Sequence, residues 1–323
     1  MKIDILMATY NGEKYIKDQL DSILNQSYKD FRLLISDDGS KDSTVQILNE
    51  YSSKDDRIKI FIQKENLGVI KNFEFLIKQV ESEYFMFSDQ DDIWNEQKIE
   101  KSLGKIEETN SDLVYCDLEV VDENLQTLSE SYWKLKGFEH KVKRYNNFES
   151  LYLNNYITGS TMLVKKEMLN KILPLIQESK YILHDYWIAL VVSKLGKMTY
   201  LNERLVRYRQ HKNNEVGSRK KSDVIKEFSE LRNLFIDVKL DHFSTLIKRE
   251  DVFEDNLVTN LNHKSLEYYK KLANVKTIYL KDILLFYKLY KYEKFSYSIQ
   301  NFVILHMPII AKVLFKIKKG FKK

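Results

Sequence analysis

Over the first 116 residues, short apolar runs alternate with segments of helical periodicity, and few folds accept that alternation. The runs are Ile3 to Ala8, Phe31 to Ser36, Ile58 to Ile62, Tyr84 to Phe87 and Leu113 to Cys116, rich in Ile, Leu and Phe. Their length suits strands covered on both faces. Between them, Glu13 to Asn25 carries Tyr15, Ile16, Leu20, Ile23 and Leu24 at helical spacing, and Ser43 to Tyr51, Val69 to Val80 and Asn95 to Thr109 are also helical in pattern. The expectation is an α/β fold, a mostly parallel sheet flanked by helices.

Further along, the signals change. Asn124 to Asn155 is less regular, Thr158 to Val164 reads as a strand entered through a tight polar turn, and a helix is expected over Lys165 to Ile176. His184 heads a helix to Leu195, and Met198 to Leu205 reads as a final edge strand. The last hundred residues hold long helical periodicity, with no glycine between Gly217 and Gly320. The simplest division is a catalytic domain over 1–217 and a C-terminal helical extension over 218–323. With 43% hydrophobic and 31% charged residues, two prolines and nine glycines, the chain reads as ordered through most of its length.

Cys116 is the only cysteine, which excludes an intrachain disulfide and a cysteine-based structural zinc site and fits a reducing cytoplasm. The apolar run near the N-terminus is too short for a signal peptide or a membrane span. The net charge of +5 arises from 52 basic and 47 acidic residues, so placement matters more than size. Acidic residues are frequent from Glu81 to Asp122, whereas Asn301 to Lys323 holds six lysines and no Asp or Glu. No aromatic-interleaved basic patch stands outside that tail, which argues against nucleic-acid binding.

In open sheets of this kind ligands sit beyond the carboxyl ends of the strands, where loops converge and helix N-termini point inward. Polar clusters fall at those ends: Thr9-Tyr10-Asn11-Gly12, Asp37-Asp38-Gly39-Ser40, Asn66-Leu67-Gly68 and Ser88 to Asp92. Asp89, Asp91 and Asp92 crowd one strand end, and such carboxylates repel one another unless a cation or hydrogen-bond donors compensate. A hard divalent ion, Mn2+ or Mg2+, takes one or two carboxylates and leaves positions for diphosphate oxygens. The plain alternative is a solvated acidic turn ahead of the Asn95 helix. Likewise, Asp37-Asp38-Gly39-Ser40 serves either a ribose or pyrimidine contact or an ordinary helix-capping turn.

Taken together, Ala8-Thr9-Tyr10-Asn11-Gly12, Gln26-Ser27-Tyr28, Asp37-Asp38-Gly39-Ser40, Asn66-Leu67-Gly68 and Ser88 to Trp94 resemble the family 2 glycosyltransferases of GT-A fold, over roughly residues 1 to 215. The resemblance implies that Thr9 and Asp38 contact the donor's base, with Ala8, Tyr10 and Asn11 in the same wall and Lys71 near the diphosphate or base. It makes Asp91 the principal metal ligand and places Asp89 and Gln90 near the ribose, Gln90 standing where an acidic residue is commoner. Asp185, in His184-Asp185-Tyr186-Trp187, takes the place of the catalytic base that strips the acceptor hydroxyl of its proton; a helix N-cap is the plain alternative. For Tyr208-Arg209-Gln210-His211 the resemblance implies that His211 reaches the diphosphate or completes the metal shell and that Arg209 neutralises leaving-group charge, an exposed basic loop being the plain alternative. Gly159, Ser160 and Trp187 fall on the acceptor side.

The Ser88 to Trp94 stretch with Tyr208 to His211 is similar to rhamnosyltransferases of bacterial surface polysaccharides, implying an inverting transfer from dTDP-L-rhamnose to a glycan or lipid-linked acceptor. A UDP-hexose or UDP-N-acetylhexosamine donor is the alternative. Other readings are a non-catalytic scaffold of the same fold and a nucleotidyltransferase, the latter opposed by the lack of a basic glycine-rich loop after the first strand. Residues 301–323 mix apolar residues with lysines, which suits peripheral contact with an anionic inner leaflet. The helical extension could also serve as a homo-oligomer interface.

Overall fold

β1 (Ile3–Thr9) lies between β2 (Phe31–Asp37) and β4 (Tyr84–Ser88), parallel to both, and β3 (Ile58–Ile62) adds in parallel beyond β2. All of β1 except Ala8 is buried, which is why it reads as a continuous apolar run and not as an alternating one. The computed structural model describes residues 3–212, 228–274, 280–293 and 295–306. Register aligns Thr9 with Asp37 and Asp37 with Ile62, so the loops that follow these strands leave the sheet at one level. A shared rim results.

Helices cover the sheet as the periodicity predicts. α1 (Ile16–Leu24) buries Ile16, Gln19, Leu20 and Ile23, spaced three to four apart, and turns Lys17 and Asp18 outward. α2 (Thr44–Ser52), α3 (Val69–Ile77) and α4 (Lys98–Thr109) follow β2, β3 and the short β5 (Ile93–Trp94). At the other end of the strands Asp4 is fully buried and binds Arg32 through two hydrogen bonds of 2.7 and 2.8 Å, together with the Glu81 and Ser82 N–H groups. Burial alone would raise the Asp4 carboxyl; Arg32 and Ser82 outweigh it and hold it below the usual range. That end anchors the sheet, whereas the opposite rim carries the polar loops.

The second half of the sheet is mixed. β8 (Leu163–Lys165) pairs antiparallel with β4 and with β6 (Leu113–Val121); β9 (Met198–Arg209) runs parallel to β6; β5 and β7 (Thr127–Ser129) pair antiparallel with β9 and β6. Parallel ladders still carry most paired positions. Short helices α5 (Tyr132–Lys136), α6 (Glu139–Arg144) and α7 (Phe148–Leu151) occupy the irregular middle.

Three boundaries differ from the sequence expectation. Thr158 to Val164 is not one strand: Gly159–Thr161 makes a 3-10 turn, and β8 begins at Leu163. The helix expected over Lys165 to Ile176 is a 3-10 turn (Lys166–Met168) leading into α8 (Leu169–Ile172), and it ends early because Pro174 lacks an N–H and its ring disfavours a helical residue before it. β9 continues past Leu205 to Arg209, and β5 pairs with its far side at Val206 and Arg207, beyond the stretch expected as an edge.

The chain divides into two compact units, residues 1–177 with 183–211, and residues 178–182 with 212–323. The boundary expected at 217/218 falls outside the described residues. The second unit is helical: α9 (His184–Leu195) belongs to the first, while α10 (Phe228–Lys248), α11 (Glu250–Phe253), α12 (Asn256–Ala273), α13 (Leu280–Tyr290) and α14 (Phe295–His306) belong to the second. Phe243 stacks on Tyr269 in its core, and Asp255 caps α12 by accepting from the N–H groups of Leu257 and Val258.

Candidate active site

The loops after β1, β2 and β3 are tied to one another before any ligand arrives. Thr9 Oγ1 donates to Asp37 at 2.9 Å, and Asp37 also accepts from the N–H groups of Gly39 and Ser40 and from the Ser40 hydroxyl. Asn11, at φ 47°, donates its N–H to Ser40 Oγ and accepts from the Lys41 N–H. Asp38 corrects an expectation: its carboxylate accepts from the N–H groups of Leu67 and Gly68 at 2.7 and 2.9 Å and is 3% exposed, so it braces the third loop from inside. Ala8 is half-buried, Tyr10 and Lys71 are exposed, and all stay on this rim or on the first turn of α3.

The loop after β4 meets the chain leaving β9. Asp91 Oδ2 and His211 Nε2, 120 residues apart in sequence, lie 2.7 Å from each other. Tyr15 supplies a platform beneath them: the His211 ring stacks on it at 4.7 Å between centroids, and the Arg209 guanidinium sits 4.6 Å above it. Arg209 is 3% exposed and donates to the Asp91 and Glu123 carbonyls and to Asp18. It therefore fixes the loop after β4 from behind, which corrects the expectation of a diphosphate contact. Asp89 and Gln90 are half-buried at the head of the loop. Gln90 is spent on the Tyr10 main chain, whose N–H and C=O it pairs with at 2.9 and 3.0 Å, and this corrects its placement at the ribose.

Beneath that loop lie two buried ionisable groups, Asp92 and Lys98. Asp92 is fully buried and accepts from the Arg209 N–H at 3.2 Å; burial, then the nearby Asp89 and Asp91, push its carboxyl well above the usual range. Lys98 is fully buried with its ammonium 3.1 Å from the centre of the Trp94 ring, and burial lowers it to about 7. Tyr15 and Lys98 were not named as site residues from the sequence, and Asp92 and Asp37 were named only within their clusters. The signal was present for Asp92, which completes a third carboxylate in four residues, but Tyr15 looked like any core position of an amphipathic helix.

Asp185 opens α9 and is half-buried, with its carboxylate accepting from the Tyr186 N–H at 2.6 Å and the Gly159 N–H at 3.3 Å. Burial raises it to about 6. Gly159 and Ser160 form the buried 3-10 turn that faces it. A Cβ on Gly159 would stand 3.1 Å from His184 Nε2 and 3.4 Å from Asp185 Cβ, so the turn approaches the helix as closely as a glycine permits. His184 is 8% exposed, packs on Phe73 and Phe87, and burial lowers it to about 3, so it is a neutral core ring. Trp187 corrects another expectation: fully buried, with its indole N–H donating to the Ile172 carbonyl at 2.8 Å, it supports α9 and does not face an acceptor.

A mixed α/β sheet with its polar loops, paired carboxylate and imidazole, and a raised aspartate gathered at the strand ends defines a nucleotide-binding transferase architecture. Residues 4–173 match the model of "Glycosyl transferase family 2", and the chain belongs to that family. It is a glycosyltransferase. The dTDP-rhamnosyl transferase RfbG of Shigella flexneri is 32% identical over 66% of this chain and 74% of its own length. TuaG of Bacillus subtilis (strain 168), whose name assigns it to teichuronic acid biosynthesis, is 28% identical over 68% of this chain and 82% of its own. Among solved structures, S. aureus TarS 1-349 in complex with UDP-GlcNAc aligns with a TM-score of 0.60 at 18% identity, covering 90% of this chain and 80% of that one, a likeness of GT-A fold.

Proposed function

We propose that the protein transfers L-rhamnose from dTDP-L-rhamnose, with inversion, to a glycan or lipid-linked acceptor in bacterial cell-surface polysaccharide synthesis, at the cytoplasmic face of the membrane. The observation that carries the chemistry is the 2.7 Å approach of Asp91 to His211 at the strand-end rim. One carboxylate and one imidazole are a donor set that suits Mn2+ better than Mg2+, which prefers oxygen ligands throughout, and two protein ligands leave positions for diphosphate oxygens. Asp91 and His211 would hold that ion, and when bound it supplies the charge that stabilises a departing nucleoside diphosphate. Arg209 and Tyr15 keep the two ligands in place. Thr9, Ala8, Tyr10 and Asn11 form the wall on which the base rests, with Lys71 at its margin and Asp89 beside the ribose.

Asp185 acts as the base. Raised to about 6, its carboxyl is ionised near neutrality yet basic enough to take the acceptor hydroxyl proton as the glycosidic bond forms. Gly159 and Ser160 lie on the acceptor side and set its orientation through the Gly159 N–H. The rhamnose donor rests on the likeness to RfbG and on the Ser88 to Trp94 stretch.

A panel of nucleotide sugars offered to the purified protein with Mn2+ or Mg2+, read as nucleoside diphosphate release, tests the reading. Release from dTDP-rhamnose that stops on chelation is expected. Release only from a UDP-hexose or UDP-N-acetylhexosamine would overturn the donor, and release insensitive to chelation would overturn the metal.

A further inference from the structure

Gln90 closes on Tyr10 in both directions. The Tyr10 N–H donates to Gln90 Oε1 at 2.9 Å, and Gln90 Nε2 donates to the Tyr10 carbonyl at 3.0 Å, across eighty residues of sequence. The two loops so joined carry Thr9 on one side and Asp91 on the other. Gly12 makes the seat: a Cβ there would stand 2.2 Å from Gln90 Oε1 and 2.6 Å from its Cδ, so any side chain at that position evicts the amide. Only a neutral amide satisfies both Tyr10 groups. A carboxylate accepts but does not donate, and in the same place it would set a lone pair against the Tyr10 carbonyl.

We propose that Gln90 is a positioning residue, an uncharged latch that holds the wall of the base pocket to the metal-bearing loop, and that Gly12 is small in order to seat it. The proposal rests on the reading of this rim as a nucleotide-sugar site, in which it takes Gln90 off the ribose and gives it the Tyr10 main chain. The latch binds nothing itself. It fixes the distance between the group that receives the base and the group that receives the diphosphate, so the donor meets both without reorganising the loops.

The test uses full-length Gln90→Glu, Gln90→Ala, Gly12→Ala and the Gly12→Ala/Gln90→Ala double variant, each compared with the parent for donor KM and kcat between pH 5.5 and 8. Two ordinary hydrogen bonds are worth roughly a tenfold change. At pH 8 the single variants are expected to raise donor KM about tenfold with kcat within about threefold. The double variant should be no worse than either single change, since both remove one latch.

A residue that bound the ribose would behave oppositely. Gln90→Glu would then accept the ribose hydroxyls and bind donor as well as the parent at neutral pH or better; that pattern overturns the proposal, as do multiplicative effects of Gly12→Ala and Gln90→Ala. Amide hydrogen exchange over Thr9 to Gly12 in the ligand-free protein gives a readout independent of turnover. Faster exchange in every variant supports the latch, and unchanged exchange sinks it. Absence of turnover in the parent with any donor would instead remove the nucleotide-sugar reading and leave the exchange result to decide the latch.

Discussion

Asp185 is asked to be a base in a place that disfavours its charge. Desolvation raises its carboxyl from the ordinary 3.8 to about 6, so the folded state holds its proton more tightly than the unfolded chain does. The stability this contributes is fully present below the ordinary value and is lost as pH rises through 6. Asp185→Asn should therefore abolish transfer and at the same time raise stability at pH 7.5, by up to about 3 kcal/mol. That gain should shrink between pH 6 and pH 4, where the native carboxyl takes up its proton. Denaturant unfolding across that range, beside the transfer assay, checks both halves, and a variant that keeps activity or loses stability at pH 7.5 removes Asp185 from the role. The same logic predicts that the parent's kcat/KM falls as pH drops below about 6. His184 next to it has the opposite sign: burial lowers it to about 3, so its contribution is lost as pH falls below the ordinary histidine value of 6.5.

Between elements, the 3-10 turn Gly159–Thr161 packs tightly against the start of α9. Gly159→Ala would press a methyl toward His184 Nε2 and Asp185 Cβ, and His184 is itself wedged against Phe73 and Phe87, so the displacement falls on Asp185. The expected result is a fall in kcat of at least about tenfold with donor KM little changed, and a stability loss of about 1 kcal/mol; a variant with parental kcat would show that the turn does not set the base. This contact also marks where sequence reading ran out. The strand-and-helix alternation was legible because strands covered on both faces are written as apolar runs, and β1, β2 and β4 began and ended close to where the runs do. β9 was cut short at Leu205 because Arg207 and Arg209 look like solvent-facing charge, whereas Arg209 is buried against Tyr15 and Asp18. Asp91 and His211 could be named from motifs, but not their contact, which depends on β9 running past Leu205. Asp38, Gln90 and Trp187 were misplaced for one shared reason: a motif names a residue without saying whether its polar atoms are already satisfied by backbone.

At the scale of the whole molecule, charge is laid out unevenly along the chain, with acidic residues gathered near the rim motifs and six lysines without a counter-charge from Asn301 to Lys323. Among the described residues no helix is long and apolar enough to cross a membrane, and residues 307–323 lie outside the described residues. A lipid-linked acceptor would bring the enzyme to an anionic surface, where each lysine near the headgroups contributes about 1 kcal/mol and the attraction fades with salt. A deletion that tests this has to spare the helical unit. Ile304 and Leu305 are buried, and the His306 ring pairs with the Tyr268 hydroxyl at 2.9 Å, so the cut belongs after His306 and not at Asn301. Full-length protein should float with vesicles containing anionic lipid at low salt and be released at about 0.5 M salt. The chain ending at His306, and a full-length chain with the six tail lysines changed to glutamine, should both stay in the soluble fraction while keeping donor turnover. Equal flotation of all three forms, or flotation indifferent to lipid charge, would take the basic tail out of membrane contact and leave the acceptor to be brought to the enzyme in solution.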